Sequence, residues 1–194
     1  MVSADSLALD LHKWMSQPFG VGCILVRDSL AHYNSFVLTP DYLVHDFTKG
    51  VSLADYGIEL SKGFRGLRVW MSLKEHGVLK HGRIIEQNVD QVQYFAELVE
   101  ASSVLELMAP VPSNCACFRY VGDGLDDDLL DGLNKELLGR VMMSGEAIIS
   151  DTKIGGRVAL RLGNVNHRST REDFKFLIDE LIRIGNYLSK ERNR

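Results

Sequence analysis

Short apolar segments alternate with longer amphipathic ones after residue 101, and this order constrains the fold more than any other feature of the chain. Strands run for about four to eight residues, whereas helices need about ten or more. Four segments have the length of strands, at 105–108, 116–121, 147–150 and 157–162. Two longer segments have a helical repeat, at 126–143 and from Thr170 onward. The order predicts an α/β unit with helices on one side of a small, mostly antiparallel sheet.

The middle of the chain predicts two helices, and the first part predicts one buried strand. Apolar residues recur at helical spacing over 64–77, and a second apolar stripe covers 82–101. The continuous apolar run at 21–26 is typical of a buried strand. Residues 34–50 are irregular, which indicates a long loop, and loops of this length are usually functional or disordered.

The composition fits a protein of one or two domains. Of the 194 residues, 45% are apolar and 25% are charged, so the chain can bury a core. The formal net charge of -4 gives no reason to expect nucleic acid, whose binders carry basic patches. No apolar run reaches the length of a membrane span, and no basic segment followed by an apolar core marks export. We therefore expect a cytoplasmic protein with neither nucleic acid nor a membrane as partner.

The cysteines and histidines do not predict a metal site. The three cysteines form no disulfide framework, and Cys115 and Cys117 would share one face of a strand, where a disulfide between them is strained. We expect reduced, buried thiols in a cytosolic protein. The aspartates at 126–128 lack the alternating spacing and the glycine of an EF-hand loop, and the histidines have no metal-ligand spacing.

Lys13 is the first candidate for chemistry. It lies in an apolar run between His12 and Trp14, where a charged amine loses hydration. A half-buried lysine sheds its proton more easily, and the neutral amine is a nucleophile that can form a Schiff base with an aldehyde. The neighbouring imidazole and indole indicate a cofactor site. Taken alone, the residue also fits an exposed loop lysine.

Four motifs, in order along the chain, resemble one enzyme family. The string Asp-Ser-x-x-x-Asp-x-His-Lys-Trp at 5–14 closely resembles the pyridoxal-phosphate-dependent amino-acid decarboxylases, the family of the aromatic-L-amino-acid and glutamate decarboxylases. Asp41-Tyr42-Leu43 resembles the mobile catalytic loop of that family, and residues 64–70 resemble the start of its long connecting helix. Leu160-Arg161-Leu162, with Asn166, resembles its C-terminal strand.

The resemblance implies an α/β fold, that of the fold-type-I pyridoxal-phosphate-dependent transferases. Residues 1–68 would be the end of the large cofactor-binding domain, and residues 69–194 the C-terminal small domain. Members of the family carry most of the large domain before the cofactor lysine. We therefore expect the chain to be the C-terminal portion of a longer enzyme, a truncated form or half of a split gene, and to be inactive alone.

The resemblance also implies roles around the cofactor. Lys13 would bond to the aldehyde of pyridoxal 5'-phosphate, and His12 would lie beside the cofactor phosphate. Asp10 stands where relatives often carry asparagine near that phosphate, although a carboxylate there would repel the dianion. Trp14 fits a wall of the substrate pocket or simply the core.

Three further residues are candidates for the substrate side of the site. Tyr42 would close over the site and protonate Cα after CO2 has left, with His45 in the same lid; its other interpretation is packing. Relatives that make aldehydes with oxygen carry phenylalanine there, so Tyr42 favours plain decarboxylation. Arg161 would bind the substrate α-carboxylate, or else form a salt bridge to a helix carboxylate. Ser61 would line the side-chain pocket.

The resulting prediction is a lyase that decarboxylates an L-amino acid to an amine and CO2, most plausibly an aromatic one, as a homodimer. Two alternatives stay open. One is an acidic-amino-acid decarboxylase, for glutamate or sulfinoalanine. The other is a non-catalytic module that serves only dimerisation. No metal is expected in any of these three cases.

Overall fold

The structure is a computed structural model that describes residues 3–37, 50, 52–122 and 125–192. The chain divides into two compact units, Met1–His81 and Gly82–Arg194, and each is described by itself. The predicted domain boundary between residues 68 and 69 concerns the domains of the family and stays a prediction.

The first unit begins with a two-stranded antiparallel sheet. Strand β1 is Ser6–Asp10 and strand β2 is Gly22–Val26, with Ser6 opposite Val26 and Asp10 opposite Gly22. Helix α1, Ser29–Phe36, follows directly. The Asp28 carboxylate caps it by accepting hydrogen bonds from the first backbone amides, as N-cap aspartates do. A 3₁₀ helix, Leu53–Tyr56, lies later in the unit.

The structure confirms the predicted strand β2 but not its burial. Ile24 is 58% exposed and Leu25 is 56% exposed, and only the preceding Val21, at 2%, is buried. The expectation of a buried strand is therefore wrong. Apolar residues show that a strand can be buried, but they do not show which part of the protein packs against it. Strand β1 and helix α1 were not predicted from the sequence.

Helix α2, Arg65–Glu100, contains both helices predicted for the middle of the chain. Gly77 interrupts it with φ 73° and ψ 160°, a left-handed backbone angle that favours glycine. Across this break, the Ser72 hydroxyl lies 3.2 Å from Nε2 of the buried His81. The predicted end of the first helix at residue 77 coincides with the break.

The second unit contains a four-stranded antiparallel sheet in the order β3-β4-β6-β5. The strands are Leu105–Leu107, Cys115–Tyr120, Ser150–Ile154 and Arg157–Gly163, numbered β3 to β6 along the chain. Helices α3, Asp127–Ser144, and α4, Arg171–Arg192, complete the unit. The strand predicted at 147–150 is wrong in position, since β5 begins only at Ser150 and continues to the turn at Gly155 and Gly156.

Alternation along the strands gives the second unit a continuous core. On β4, Ala116 and Phe118 are fully buried, and on β6, Leu160 is fully buried and Leu162 is 7% exposed. These side chains meet the apolar faces of α3, α4 and the last turns of α2 in one cluster. The predicted arrangement of helices against a small antiparallel sheet is therefore confirmed.

Two buried polar side chains of this core, Asn134 and Arg119, have specific partners, although Nε of Arg119 has none among the described residues. The Asn134 side chain on α3 accepts from the Tyr120 amide at 2.8 Å and donates to the Tyr120 carbonyl at 2.9 Å, which completes the pairing of the last residue of β4. The Arg119 side chain is fully buried and donates to Asp127 and Asp131 near the start of α3. These bonds fix the helix to the sheet, since an unpaired buried polar group would destabilise the fold.

Two predictions concern the ends and the polarity of the helices. At the start of α4, the Asp173 carboxylate accepts from both the amide and the hydroxyl of Thr170, as in a capping box. The helix start expected at Thr170 is therefore confirmed. Within the described residues, none of the helices combines the length and the apolarity that a membrane span needs.

Candidate active site

Lys13 lies in a tight turn that follows β1. The Lys13 amide donates to the Asp10 carbonyl at 3.0 Å, and the Lys13 carbonyl accepts from the Ser16 amide at the same distance. Ser16 has φ 52°, so the backbone reverses in the left-handed region. The Gln17 amide then bonds to the Leu11 carbonyl at 3.2 Å. The turn thus presents the Lys13 side chain at the end of the sheet.

The Lys13 ammonium forms an ion pair with the Asp10 carboxylate, with Nζ 2.6 Å from Oδ2. The hydrogen bond and charge of Lys13 lower the pKa of Asp10 below its ordinary value. The Lys13 side chain is 59% exposed, so the expected half-burial of this residue is wrong for the described chain. Sequence reasoning also missed the pairing, although a carboxylate three residues before the lysine was a visible signal.

His12 is held by the other arm of the turn. Its Nδ1 lies 3.1 Å from the Val21 carbonyl oxygen, and since a carbonyl only accepts, Nδ1 carries the proton. The ring of Phe19 contacts the imidazole, with 5.1 Å between ring centroids. Nε2 is therefore the nitrogen left to contact a ligand. It can donate to a phosphate oxygen only when the imidazole is doubly protonated.

Trp14 and Ser61 have simpler environments. Trp14 is half-buried, and its indole Nε1 is buried with no hydrogen-bond partner among the described residues. An indole N–H in this state has a donor to spare for a ligand or an ordered water. Ser61 is exposed in the segment before α2, and the structure does not bring it into contact with Lys13.

An apolar cleft of about 590 Å³ lies on one face of the hairpin. Strand register places Asp10 on this same face, because alternate residues of a strand share a face. Lys13 does not line the cleft, so the cleft and the ion pair are separate features of that face. The lining comes from the hairpin, α1, the end of the 3₁₀ helix and the two residues after it: Ser6, Ile24, Val26, Ala31, His32, Ser35, Phe36, Tyr56, Gly57 and Ile58.

Arg161 belongs to the second unit, on β6. It faces away from the buried Leu160 and Leu162, and is exposed. Among the residues that the structure describes, no carboxylate lies within ion-pair distance of its guanidinium. The salt bridge to a helix carboxylate is therefore absent from the described part of the chain. Arg161 pairs in register with Cys117, whose pKa is raised by burial first and then by the neighbouring Cys115.

The lid residues, the possible metal ligands and the cysteines are the remaining candidates from the sequence. Tyr42 and His45 lie outside the described residues, as do residues 38–49 of the long loop predicted over 34–50. The predicted start of that loop is wrong, because residues 34–36 belong to helix α1. Within the described ranges, no three histidine, cysteine or acidic side chains cluster closely enough to hold a metal ion. Both Cys115 and Cys117 are free and only half-buried, so the expectation of buried thiols is wrong in degree.

The residues of the turn fit two of the three groups of pyridoxal phosphate. The Lys13 amine matches the aldehyde, because a primary amine is the nucleophile that condenses with it. The imidazole of His12 matches the phosphate when doubly protonated. Asp10 does not fit beside a phosphate dianion, and its contact with Lys13 directs the carboxylate to the amine instead. The remaining group, the pyridine nitrogen, has no matching partner in the turn.

Several known relatives of the sequence are named as amino-acid decarboxylases. The chain is 33% identical over 174 residues to the aromatic-L-amino-acid decarboxylase of Bacillus atrophaeus, covering 88% of this chain and 36% of the relative. It is 32% identical over 180 residues to tyrosine decarboxylase 4 of Petroselinum crispum, with 86% and 35% covered. The L-2,4-diaminobutyrate decarboxylase of Acinetobacter baumannii is 27% identical over 182 residues, with 92% and 36% covered. The chain thus spans little more than a third of the length of these relatives.

Solved structures share the fold. The Oryza sativa protein TDC, solved with PLP and tryptamine, matches with a TM-score of 0.88 and 25% identity, over 95% of this chain and 39% of that one. Catharanthus roseus tryptophan decarboxylase, in complex with L-tryptophan, matches with a TM-score of 0.84 and 26% identity over the same shares. The family model of the pyridoxal-dependent decarboxylase conserved domain matches residues 1–121, which contain the Lys13 turn. The chain belongs to the pyridoxal-dependent decarboxylase family.

Proposed function

We propose that this chain supplies the cofactor lysine and the small domain of an enzyme that decarboxylates an aromatic L-amino acid to its amine and CO2. One observation carries the proposal: Lys13 projects from the turn after β1, inside the segment that the family model matches. Four relatives with 30–33% identity are named for aromatic amino acids, tyrosine or tryptophan, which supports the aromatic substrate.

Lys13 would hold the cofactor covalently, and Asp10 would control the proton on its amine. A carboxylate at 2.6 Å stabilises the charged ammonium, which is not a nucleophile. Attachment therefore requires the Asp10 contact to loosen, so that the amine can release its proton. When bound, pyridoxal phosphate withdraws electrons from the bonds to Cα of the substrate.

The other candidate residues would bind the substrate or move protons. His12, doubly protonated, would donate from Nε2 to the phosphate, since its Nδ1 proton is already given to the Val21 carbonyl. Arg161 would bind the substrate α-carboxylate, which its lack of a carboxylate partner among the described residues supports. Tyr42 would donate a proton to Cα after CO2 has left. Trp14 and Ser61 would line the substrate pocket.

Exposure of the hairpin supports the further proposal that the 194-residue chain binds cofactor weakly and is inactive alone. The strands carry apolar residues on both faces, with Leu9 and Leu25 on one and Ile24 and Val26 on the other. Strands with this pattern are usually covered on both sides. In the active enzyme we propose that additional polypeptide covers them, and that the enzyme is a cytoplasmic homodimer.

Reductive trapping tests the role of Lys13. The chain, joined to the preceding part of a relative, is incubated with pyridoxal phosphate, reduced with borohydride and digested, and the modified lysine is located by mass spectrometry. We expect a pyridoxyl adduct on Lys13 that is absent in Lys13→Ala and unchanged in Lys62→Ala, a control on another exposed lysine. Labelling spread evenly over surface lysines would contradict the assignment.

A substrate panel tests the reaction and its specificity. The chain, alone and joined to the preceding part of a relative, is given tyrosine, tryptophan, glutamate, sulfinoalanine and 2,4-diaminobutyrate, and CO2 is measured. We expect release only in the joined form and mainly from the aromatic substrates. Preference for glutamate or sulfinoalanine would favour the acidic-substrate alternative. Rapid CO2 release by the chain alone would contradict its inactivity, and no release with a Lys13 adduct present would favour a non-catalytic module.

A further inference from the structure

The outer face of the β4–β6 pair brings two thiols and one guanidinium together. Cys115 and Cys117 are two residues apart on β4, so their side chains share a face, while Ala116 and Phe118 point into the core. Both thiols are free and half-buried. Side chains two residues apart on a strand start from Cβ atoms about 7 Å apart, so the two thiols are neighbours on that face. Together they form a dithiol that faces away from the core.

Arg161 lies on the same face of the sheet as this dithiol, on the neighbouring strand. Its backbone pairs with Cys117, and Gly163, two residues further along β6, pairs with Cys115. The guanidinium of Arg161 leans along its own strand over Gly163, since a Cβ on that glycine would be 3.8 Å from both terminal nitrogens. The positive charge is therefore placed between the positions opposite the two cysteines. A bulkier residue at 163 would displace it.

The number and type of ligands select the ion that such a site could hold. Thiolates prefer soft ions such as Cu(I), whereas carboxylates and carbonyls prefer hard ones. Zinc and iron–sulfur sites need about four ligands, and within the described ranges no cluster of three metal-binding side chains includes these cysteines. Two thiolates suffice for a monovalent soft ion in linear coordination. The charge also balances, because two thiolates and one monovalent cation leave one negative charge beside Arg161.

We propose that Cys115 and Cys117 chelate a single Cu(I) ion, with Arg161 as the counter-charge. Both thiols lose their protons to solvent, two sulfur–copper bonds form, and no electron is transferred. The site shares Arg161 with the proposed contact to the substrate carboxylate, but it needs neither Lys13 nor bound cofactor. Its test measures metal binding, so its outcome does not depend on that of the decarboxylation assays.

Competition with a chromophoric Cu(I) chelator tests the proposal. The reduced 194-residue chain is titrated under anaerobic conditions against the Cu(I)–bicinchoninate complex, and loss of the colour of that complex gives the affinity. We expect one Cu(I) per chain. Cys115→Ser and Cys117→Ser should each weaken binding by on the order of 10²-fold, because one thiol then binds without its chelating partner. Cys23→Ser, which removes the free thiol on β2, is the matched control and should change nothing.

Variants of Arg161 test the charge. Arg161→Gln should weaken binding by about fivefold, the size expected for losing one exposed charge near an anion. Arg161→Lys should restore most of it. The proposal is overturned if Cys115→Ser or Cys117→Ser, folded by circular dichroism, binds Cu(I) as tightly as the unmodified chain. It is equally overturned if Cys23→Ser alone removes the binding.

Discussion

The two compact units bury their apolar strands to very different extents. On β6 of the second unit, Val158 and Leu160 are 1% and 0% exposed, whereas on the hairpin of the first unit Ile24 and Leu25 are 58% and 56% exposed. The strands themselves are similar in apolar content, but among the described residues only the four-stranded sheet shares a buried core with helices of its own unit. Burial therefore depends on what packs against a strand, and the described part of the unit that carries Lys13 supplies no such core.

Removing one phenylalanine from each unit tests this difference in burial, and it should give the largest difference in the free energy of unfolding. Phe118 is fully buried and meets Phe95 edge-to-face at 5.0 Å, so Phe118→Ala should lower the free energy of unfolding by about 3–5 kcal/mol. Phe19 is 92% exposed, so Phe19→Ala should stay within about 0.5 kcal/mol. Guanidinium unfolding followed by circular dichroism measures both. Equal losses would show that the hairpin contributes to a core that its exposure does not reveal.

Two helical glycines of the second unit differ in how closely other side chains pack against them. A Cβ on Gly185 of α4 would lie 2.3 Å from the ring of Tyr120, so Gly185→Ala should destabilise the unit by about 1–3 kcal/mol through overpacking. Gly139 of α3 has open space around it, so Gly139→Ala should instead stabilise by about 0.5–1 kcal/mol. Melting temperatures of the two variants should move in opposite directions. A rise for Gly185→Ala would mean that the Tyr120 ring moves aside freely.

The second unit could be predicted from sequence because its local patterns agree with its packing. Alternation on β6, the glycine turn at 155–156 and the acidic start of α3 each specify an element whose partners lie in the same unit. Among the described strands of this unit only β5 was misplaced, since residues 147–149 are apolar but precede the strand, which begins at Ser150. In the rest of the second unit the local sequence pattern agrees with the tertiary contacts, so its fold could be predicted.

The candidate site followed from sequence only in part. The motif around Lys13 identified the family, which the family model confirms. The exposure of Lys13 could not be predicted, because burial depends on contacts with residues far along the chain. The apolar run at 7–11 shows only that this segment could be covered. The Asp10 ion pair depends on the turn that brings residue 10 to residue 13, and no helical or strand period marks that turn. The family resemblance thus identified Lys13 as the candidate residue, and the structure showed that its ammonium is paired with Asp10.

The smallest expected effect is a change in the pKa of Asp10 when Lys13 is removed. Because Lys13 lowers the pKa of Asp10, the ion pair stabilises the turn at pH values above the ordinary carboxyl range near about 4, and this stabilisation is lost as the pH falls through the lowered value. Lys13→Ala should therefore raise the pKa of Asp10 toward its ordinary value, as measured by NMR titration of the carboxyl carbon. Lys62→Ala should leave it unchanged, since Lys62 donates to the Leu53 carbonyl.

Glu136 in the second unit provides the matched case. Its pKa is also lowered, first by Arg140 and in addition by Arg192, so two arginines share the effect that Lys13 mainly has on Asp10, where His12 contributes less. Arg192→Ala should then raise the pKa of Glu136 only in part, whereas Lys13→Ala removes the main cause of the shift at Asp10. Both carboxylates are exposed, so 1 M salt should reduce both shifts. If Asp10 titrated normally in the unmodified chain, the ion pair would not form in solution, and Lys13 would need no carboxylate displaced before it reacts.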